Sequence, residues 1–150
     1  VECRVDLELR FGLAARGDAA FVRQALAEQP ITVYGDGTQS RCCGYVGDVV
    51  GALAKLVQEP GAVGEVFNVG NDQETSIRAL AERIKAMTGS GSPIVTVPYD
   101  QAYEAGFEDM ARRIPDLTKI RAAVGYEPRV QLDQILTEVI EYQRAQRVGV

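Results

Sequence analysis

The sequence predicts an α/β domain in which a few short strands are covered by helices. Short β-prone runs alternate along the chain with longer runs whose apolar residues recur at helical spacing, the pattern of packed strand-and-helix layers. The composition, 46% hydrophobic and 25% charged over 150 residues, is that of one ordinary globular domain able to bury a core.

Residues 1–17 open with a weak alternation (Val5, Leu7, Leu9, Phe11) that predicts one strand, followed by a Gly-bounded loop. Asp18 is a candidate N-cap for a helix over 18–29, with Phe21, Val22, Ala25 and Leu26 on one face and Pro30 as the stop. Residues 31–48 read ITVYGDGTQSRCCGYVGD. A DG turn between two β-prone pieces is a hairpin signal, which makes Arg41 an ordinary solvated side chain. The same residues also suit a site that receives a ring and an anion. Tyr34 can pack a flat ring, the glycines let backbone approach a ligand, and Arg41 offers a planar fork for phosphate.

Asp48 is the candidate cap of a helix over 48–58, whose wide stripe (Val49, Val50, Leu53, Ala54, Leu56, Val57) predicts deep burial before Pro60 and Gly61 end it. Residues 65–70, EVFNVG, predict a short strand closed by a turn. A third helix is expected from Ser76 to Thr88, with Ile77, Leu80, Ala81, Ile84 and Met87 inward and Gly89 at its left-handed end. Ile94, Val95 and Val97 form the next strand, stopped by Pro98. Residues 99–116 have no clean period and read as a surface loop, either functional or a plain connector. Asp116 is placed to cap a short helix carrying Ile120, Ala123 and Val124 up to Gly125, and a last helix spans 132–146.

Several function classes are disfavoured. A net charge of −5 supplies no overall basic surface for nucleic acid. No apolar run approaches the roughly 18 residues of a membrane span, and no signal pattern opens the chain, so a cytoplasmic protein is expected. Cys3, Cys42 and Cys43 form no C-x-x-C pair, and an odd number fits a reducing compartment better than disulfides or a zinc site. The absence of histidine removes Ser-His-Asp and Cys-His catalysis together with His-based metal motifs. Glu104, Glu108 and Asp109 read as a solvated acidic loop, and Cys42 and Cys43 as small buried thiols.

Taken in order, VYGDGTQSR, YVGDVVGAL, GEVFNVGN, TSIRALAERI and RRIPDLTKIRAAVGYEP followed by an amphipathic helix resemble the C-terminal, substrate-binding half of an NAD-dependent epimerase/dehydratase. These are extended short-chain dehydrogenases/reductases acting on nucleotide sugars, among them UDP-glucose 4-epimerases, UDP-glucuronate decarboxylases and dTDP-glucose 4,6-dehydratases. The resemblance spans roughly residues 20–142. It implies the C-terminal portion of a Rossmann-type fold, residues 1–150 forming one unit without the NAD-binding half. It also implies a UDP- or dTDP-sugar ligand: Tyr34 beside the base, Arg41 on the diphosphate, and Arg113 and Asp116, the ends of an R-x-x-D element, gripping phosphate or ribose from the other side. Arg112 is held in reserve. The chain departs from the family pattern at Cys42 and Cys43, where an acidic and an aromatic residue are frequent, at Gly47, and over residues 1–19.

The family's NAD site needs a Gly-rich turn between a strand and a helix. Gly61-Ala62-Val63-Gly64 has Phe67 where a third glycine would fall, and it precedes a predicted strand. None of the six tyrosines has lysine four residues later, so the family's Tyr-x-x-x-Lys proton acceptor is also missing. The expectation is therefore a chain that binds a nucleotide sugar, holds no NAD by itself and does not turn over. The alternatives are a non-catalytic nucleotide-diphosphate-binding module and a structural interaction remnant. A homodimer is expected if the helices at 18–29 and 48–58 lack a cover.

Overall fold

A computed structural model describes residues 13–102 and 109–148. Helix α1 (Leu13–Leu26) leads into strand β1 (Ile31–Tyr34) and strand β2 (Ser40–Cys42). Helix α2 (Val46–Leu56) and a single 3-10 turn (Pro60–Ala62) precede strand β3 (Glu74–Ser76), which runs straight into helix α3 (Ile77–Thr88). Strand β4 (Ile94–Val97), the short α4 (Tyr99–Ala102), α5 (Thr118–Val124) and α6 (Leu132–Val148) complete the order. The described part is α/β, with short strands covered by helices.

The strand pairing departs from the hairpin expected over 31–48. β1 pairs in parallel with β4, Ile31 opposite Ile94 and Tyr34 opposite Val97, while β2 pairs antiparallel with β3. The intervening turn is bent away instead of folded back. Asp36 Oδ1 accepts from the Thr38 backbone N–H (2.9 Å) and hydroxyl (2.7 Å), and the carbonyls of Gly37 and Gln39 accept from the first amides of α3. Gly35, at φ 73, lies under the ring of Tyr99; a Cβ there would stand 2.6 Å from Tyr99 Cε2. Long-range ties thus outweigh the local DG signal.

Most of the core gathers where α1, α3 and α6 cover β1. Phe21, Val22, Ala25, Ile31, Val33, Leu80, Ala81, Ile84, Leu136 and Ile140 are buried together there. α1 starts earlier than expected and runs through Gly17 and Asp18, so Asp18 is not its cap; its apolar face is covered within the chain. The strand expected over 5–11 lies outside the described residues. α3 matches expectation closely, with Ser76 Oγ accepting from Ala79 N–H and Gly89 at φ 71. α5 ends as expected at Gly125, φ 61.

A second, smaller cluster joins Ala52, Leu117, Ile120 and Tyr126, with Leu56, Phe67, Val69 and Val124 against it. Two expectations fail here. Asp48 is not the cap of α2: Tyr45 holds that position, and the Asp48 carboxylate instead accepts the backbone N–H groups of Arg129 (2.9 Å) and Val130 (3.2 Å). The α2 stripe is not deeply buried, since Val50 is 53% and Val57 88% exposed. Residues 65–69 are not a strand, although Phe67 and Val69 pack inward while Val66 stays exposed. An alternating face exists; a strand ladder among the described residues does not. Among the described residues no helix is long and apolar enough to cross a membrane.

Candidate functional site: two arginines on one carboxylate

β2 is flanked on one side by β3 and on the other by the segment entering α5. Ser40 N–H donates to Ala111 O (2.9 Å), and Ser40 forms a parallel bridge with Arg112. This stitch brings residues 109–113 alongside Arg41. Arg41 Nη2 donates to Asp109 Oδ2 at 2.6 Å, and Nη1 donates to the carbonyls of Ser40 (2.7 Å) and Met110 (2.9 Å). Arg113 Nη2 reaches the other oxygen of the same carboxylate at 3.5 Å. The Arg41 and Asp109 side chains are only 13% and 18% exposed, whereas Arg113 is 45% exposed. Asp109 therefore belongs to a shielded ion pair and not to a solvated acidic loop; Glu104 and Glu108 lie outside the described residues.

The carboxylate has a third donor. Tyr99 O–H donates to Asp109 Oδ2 (3.1 Å) and accepts from Gln39 Nε2 (2.9 Å), which also donates to the Tyr34 carbonyl (2.8 Å). Gln39 is buried, and its Oε1 has no hydrogen-bond partner among the described residues. Arg41, Asp109, Tyr99, Gln39 and the Tyr34 backbone thus form one continuous chain of contacts. The Tyr34 side chain is 43% exposed at its end.

Arg112 turns elsewhere. Its Nε and Nη2 fork onto Glu74 at 3.1–3.2 Å, and Ser40 Oγ is also bonded to Glu74. These bonds, Arg112's first and Ser40's second, hold the Glu74 carboxyl below the usual glutamate range. Asp116 is exposed, and its Oδ1 accepts the Thr118 N–H (2.9 Å) beside the start of α5. The Thr118 hydroxyl and then its N–H hold that carboxyl low. The structure therefore brings Arg41 and Arg113 together, joins Tyr34 to them through its backbone carbonyl, and leaves Arg112 and Asp116 with separate local partners.

Sequence reasoning missed Asp109, Tyr99 and Gln39 as members of this cluster. The available hint was the spacing of Asp109 four residues before Arg113, where opposite charges meet on a helical turn. For Tyr99 and Gln39 no local signal exists, because their meeting depends on the β1–β4 pairing.

The residues present do not fit an NAD cradle. In the described part, β1 leads through its glycines to β2, β3 enters α3 at Ser76, and β4 enters α4 through Pro98; none is a strand–glycine-turn–helix unit. Tyr45 is pushed up, chiefly by the Glu138 charge, and Tyr126 by burial, the direction opposite to activation. No group of three or more Cys, Asp or Glu side chains among the described residues could hold a metal ion.

A pair of guanidinium groups on a strand-and-loop scaffold is the equipment of an anion-binding α/β protein. Comparison with known proteins narrows the class. Residues 16–139 match the family model described as GDP-mannose 4,6 dehydratase, so the chain belongs to that family of NAD-dependent epimerases/dehydratases, the extended short-chain dehydrogenases/reductases. UDP-N-acetyl-alpha-D-glucosaminuronate decarboxylase of Bacillus cytotoxicus is 40% identical over 124 residues, covering 83% of this chain and 38% of that protein. The structure of UDP-glucose 4-epimerase with UDP-glucose from Thermotoga maritima superposes with a TM-score of 0.75 at 31% identity, over 86% of this chain and 39% of that one. UDP-glucuronic acid 4-epimerase of Bacillus cereus, solved with a fluorinated UDP-glucuronic acid and NAD, shares the fold, with a TM-score of 0.76 at 21% identity over 87% of this chain and 40% of that one. The chain spans about two fifths of the length of each of these relatives.

Proposed function

We propose that this chain is the nucleotide-diphosphate-sugar-binding part of an NAD-dependent sugar-nucleotide epimerase or dehydratase. The observation that supports the reading is that Arg41 and Arg113 meet at one carboxylate, which sets two guanidinium groups side by side. In this reading they grip the diphosphate, Tyr34 lies beside the base, Asp116 contacts the ribose or phosphate from the other side, and Arg112 stands in reserve. The UDP-glucose complex of the Thermotoga maritima relative and the substrate name of the Bacillus cytotoxicus relative support a UDP-sugar. With no Tyr-x-x-x-Lys pair in the sequence and no NAD cradle among the described residues, residues 1–150 act in substrate binding, as one cytoplasmic unit, and do not turn over alone. The exposed valines of α2 give a homodimer its contact face.

The test is a thermal melt with millimolar UDP or dTDP, since a ligand selective for the folded state raises its stability by about 2.7 kcal/mol at one hundred times its Kd. The expected result is a rise in Tm that Arg41→Ala or Arg113→Ala abolishes. An unchanged Tm for the unmutated chain sinks the reading.

A second reading draws on the same cluster. Asp109 already pairs with both arginines, which favours a structural or interaction module whose ion pair merely latches the loop onto β2. That module shows no response to nucleotide.

A further inference from the structure

We propose that Asp109 and Tyr99 are positioning residues that hold Arg41 rigidly in place for an incoming diphosphate, and that Asp109 stays bound when the ligand arrives. The inference rests on the nucleotide-binding reading above and adds two residues to it.

Arg41 has a long side chain whose rotamer freedom must be lost before its fork can be used. Here much of that loss has occurred in advance. Both Nη atoms are anchored: Nη1 on two backbone carbonyls and Nη2 on Asp109. Among the described residues, Arg41 Nε and the second hydrogen of Nη2 take part in no hydrogen bond. In the proposed complex these two donors serve the phosphate oxygens while the contacts to Asp109 and the two carbonyls are kept. Preorganised donors of this kind raise affinity by lowering the ordering cost.

Asp109 is itself held. Tyr99 donates to the same oxygen that Arg41 uses, and Tyr99 is fixed by the Gln39 amide and by its ring lying over Gly35. Gln39 in turn clamps the Tyr34 carbonyl. The contact chain therefore ties the Arg41 guanidinium to the backbone of Tyr34, on the base side of the proposed site. Burial of Gln39 with an unpartnered Oε1 costs stability, as is expected where a side chain is kept for the geometry it imposes. Charge balance agrees. One carboxylate between two guanidinium groups lets them approach each other and leaves one net positive charge for the ligand.

A displaceable Asp109 makes the opposite prediction. If it only fills the anion position, removing its charge frees both arginines and tightens nucleotide binding. NMR titrations of the full chain with UDP and with uridine separate the two. Asp109→Asn and Tyr99→Phe are each expected to weaken UDP binding about tenfold, the loss typical of one hydrogen bond to a charged group. Uridine, which lacks the diphosphate, should bind both variants as it binds the unmutated chain, and Asp109→Glu should regain part of the UDP affinity. Tyr99→Phe keeps the ring over Gly35 and so covers the case in which Asp109→Asn does not fold. Unchanged or tighter UDP binding by either folded variant overturns the inference and leaves the nucleotide reading intact. An equal loss for UDP and uridine also overturns it, because that marks general loosening. If the unmutated chain binds no UDP, the nucleotide reading falls and this inference falls with it.

Discussion

The two hydrophobic clusters differ in how completely the chain encloses them. Around β1, three helices supply eight buried residues and the strand itself two more. Around Ile120 only four residues are buried, and the neighbouring α2 and residues 63–66 turn Val50, Val57, Val63 and Val66 outward. The first cluster draws its buried residues from four elements of this chain. The second has an apolar stripe wider than the surface offered to it, so apolar periodicity at α2 reports a capacity for burial beyond the burial achieved.

Core truncations test this difference most severely. Ile84→Ala in the large cluster is expected to cost about 4 kcal/mol in urea unfolding, whereas Ile120→Ala, equally buried, should cost about 2 kcal/mol because its looser surroundings relax into the space. Equal costs would erase the distinction. Asp48→Ala removes the acceptor for two backbone N–H groups that tie α2 to residues 129–130, and should cost about 1–2 kcal/mol. Ser76→Ala, which uncaps α3 over the large cluster, should cost about 1 kcal/mol by the same measurement.

Acid provides a different probe. Glu74 is held below the usual glutamate range by Arg112 and Ser40, so the unfolded chain takes up its proton at higher pH than the folded one. Its contribution is complete above the ordinary glutamate range and is lost as pH falls through the lowered value. Glu74→Gln should therefore flatten the acid limb of a stability–pH curve; an unaltered limb would show that this ion pair does not couple to folding. The smallest effects belong to the exposed face. Val57→Ser or Val66→Ser should change stability by no more than about 0.5 kcal/mol while reducing self-association in sedimentation.

Legibility in the sequence followed the locality of the signals. α3 was readable almost to the residue because its cap, apolar spacing and terminal glycine all act within a few positions. β1 and β2 were readable as β-prone pieces, yet their partners were not, since β4 and β3 are chosen by packing far along the chain. Residues 65–69 carried a correct inward-outward alternation that never becomes a ladder among the described residues. In the candidate site, Arg41 and Arg113 were marked by resemblance to a family, and Arg41 also by the chemistry of its stretch. Asp109 was set aside as one of three acidic residues in a row of mixed character. Its neighbours come from long-range pairing, Arg41 through the Ser40–Arg112 bridge and Tyr99 through β4.

The meeting of Gly35 with the Tyr99 ring has a consequence for how this sequence can change over time. A methyl group at 35 would collide with the ring at 2.6 Å, and the backbone there already sits at φ 73. The size allowed at 35 is thus coupled to the size of residue 99. A lineage that shrinks residue 99 first opens room at 35, whereas one that enlarges 35 first meets both the collision and the strained backbone, so the order in which the two changes arrive decides whether the path is passable.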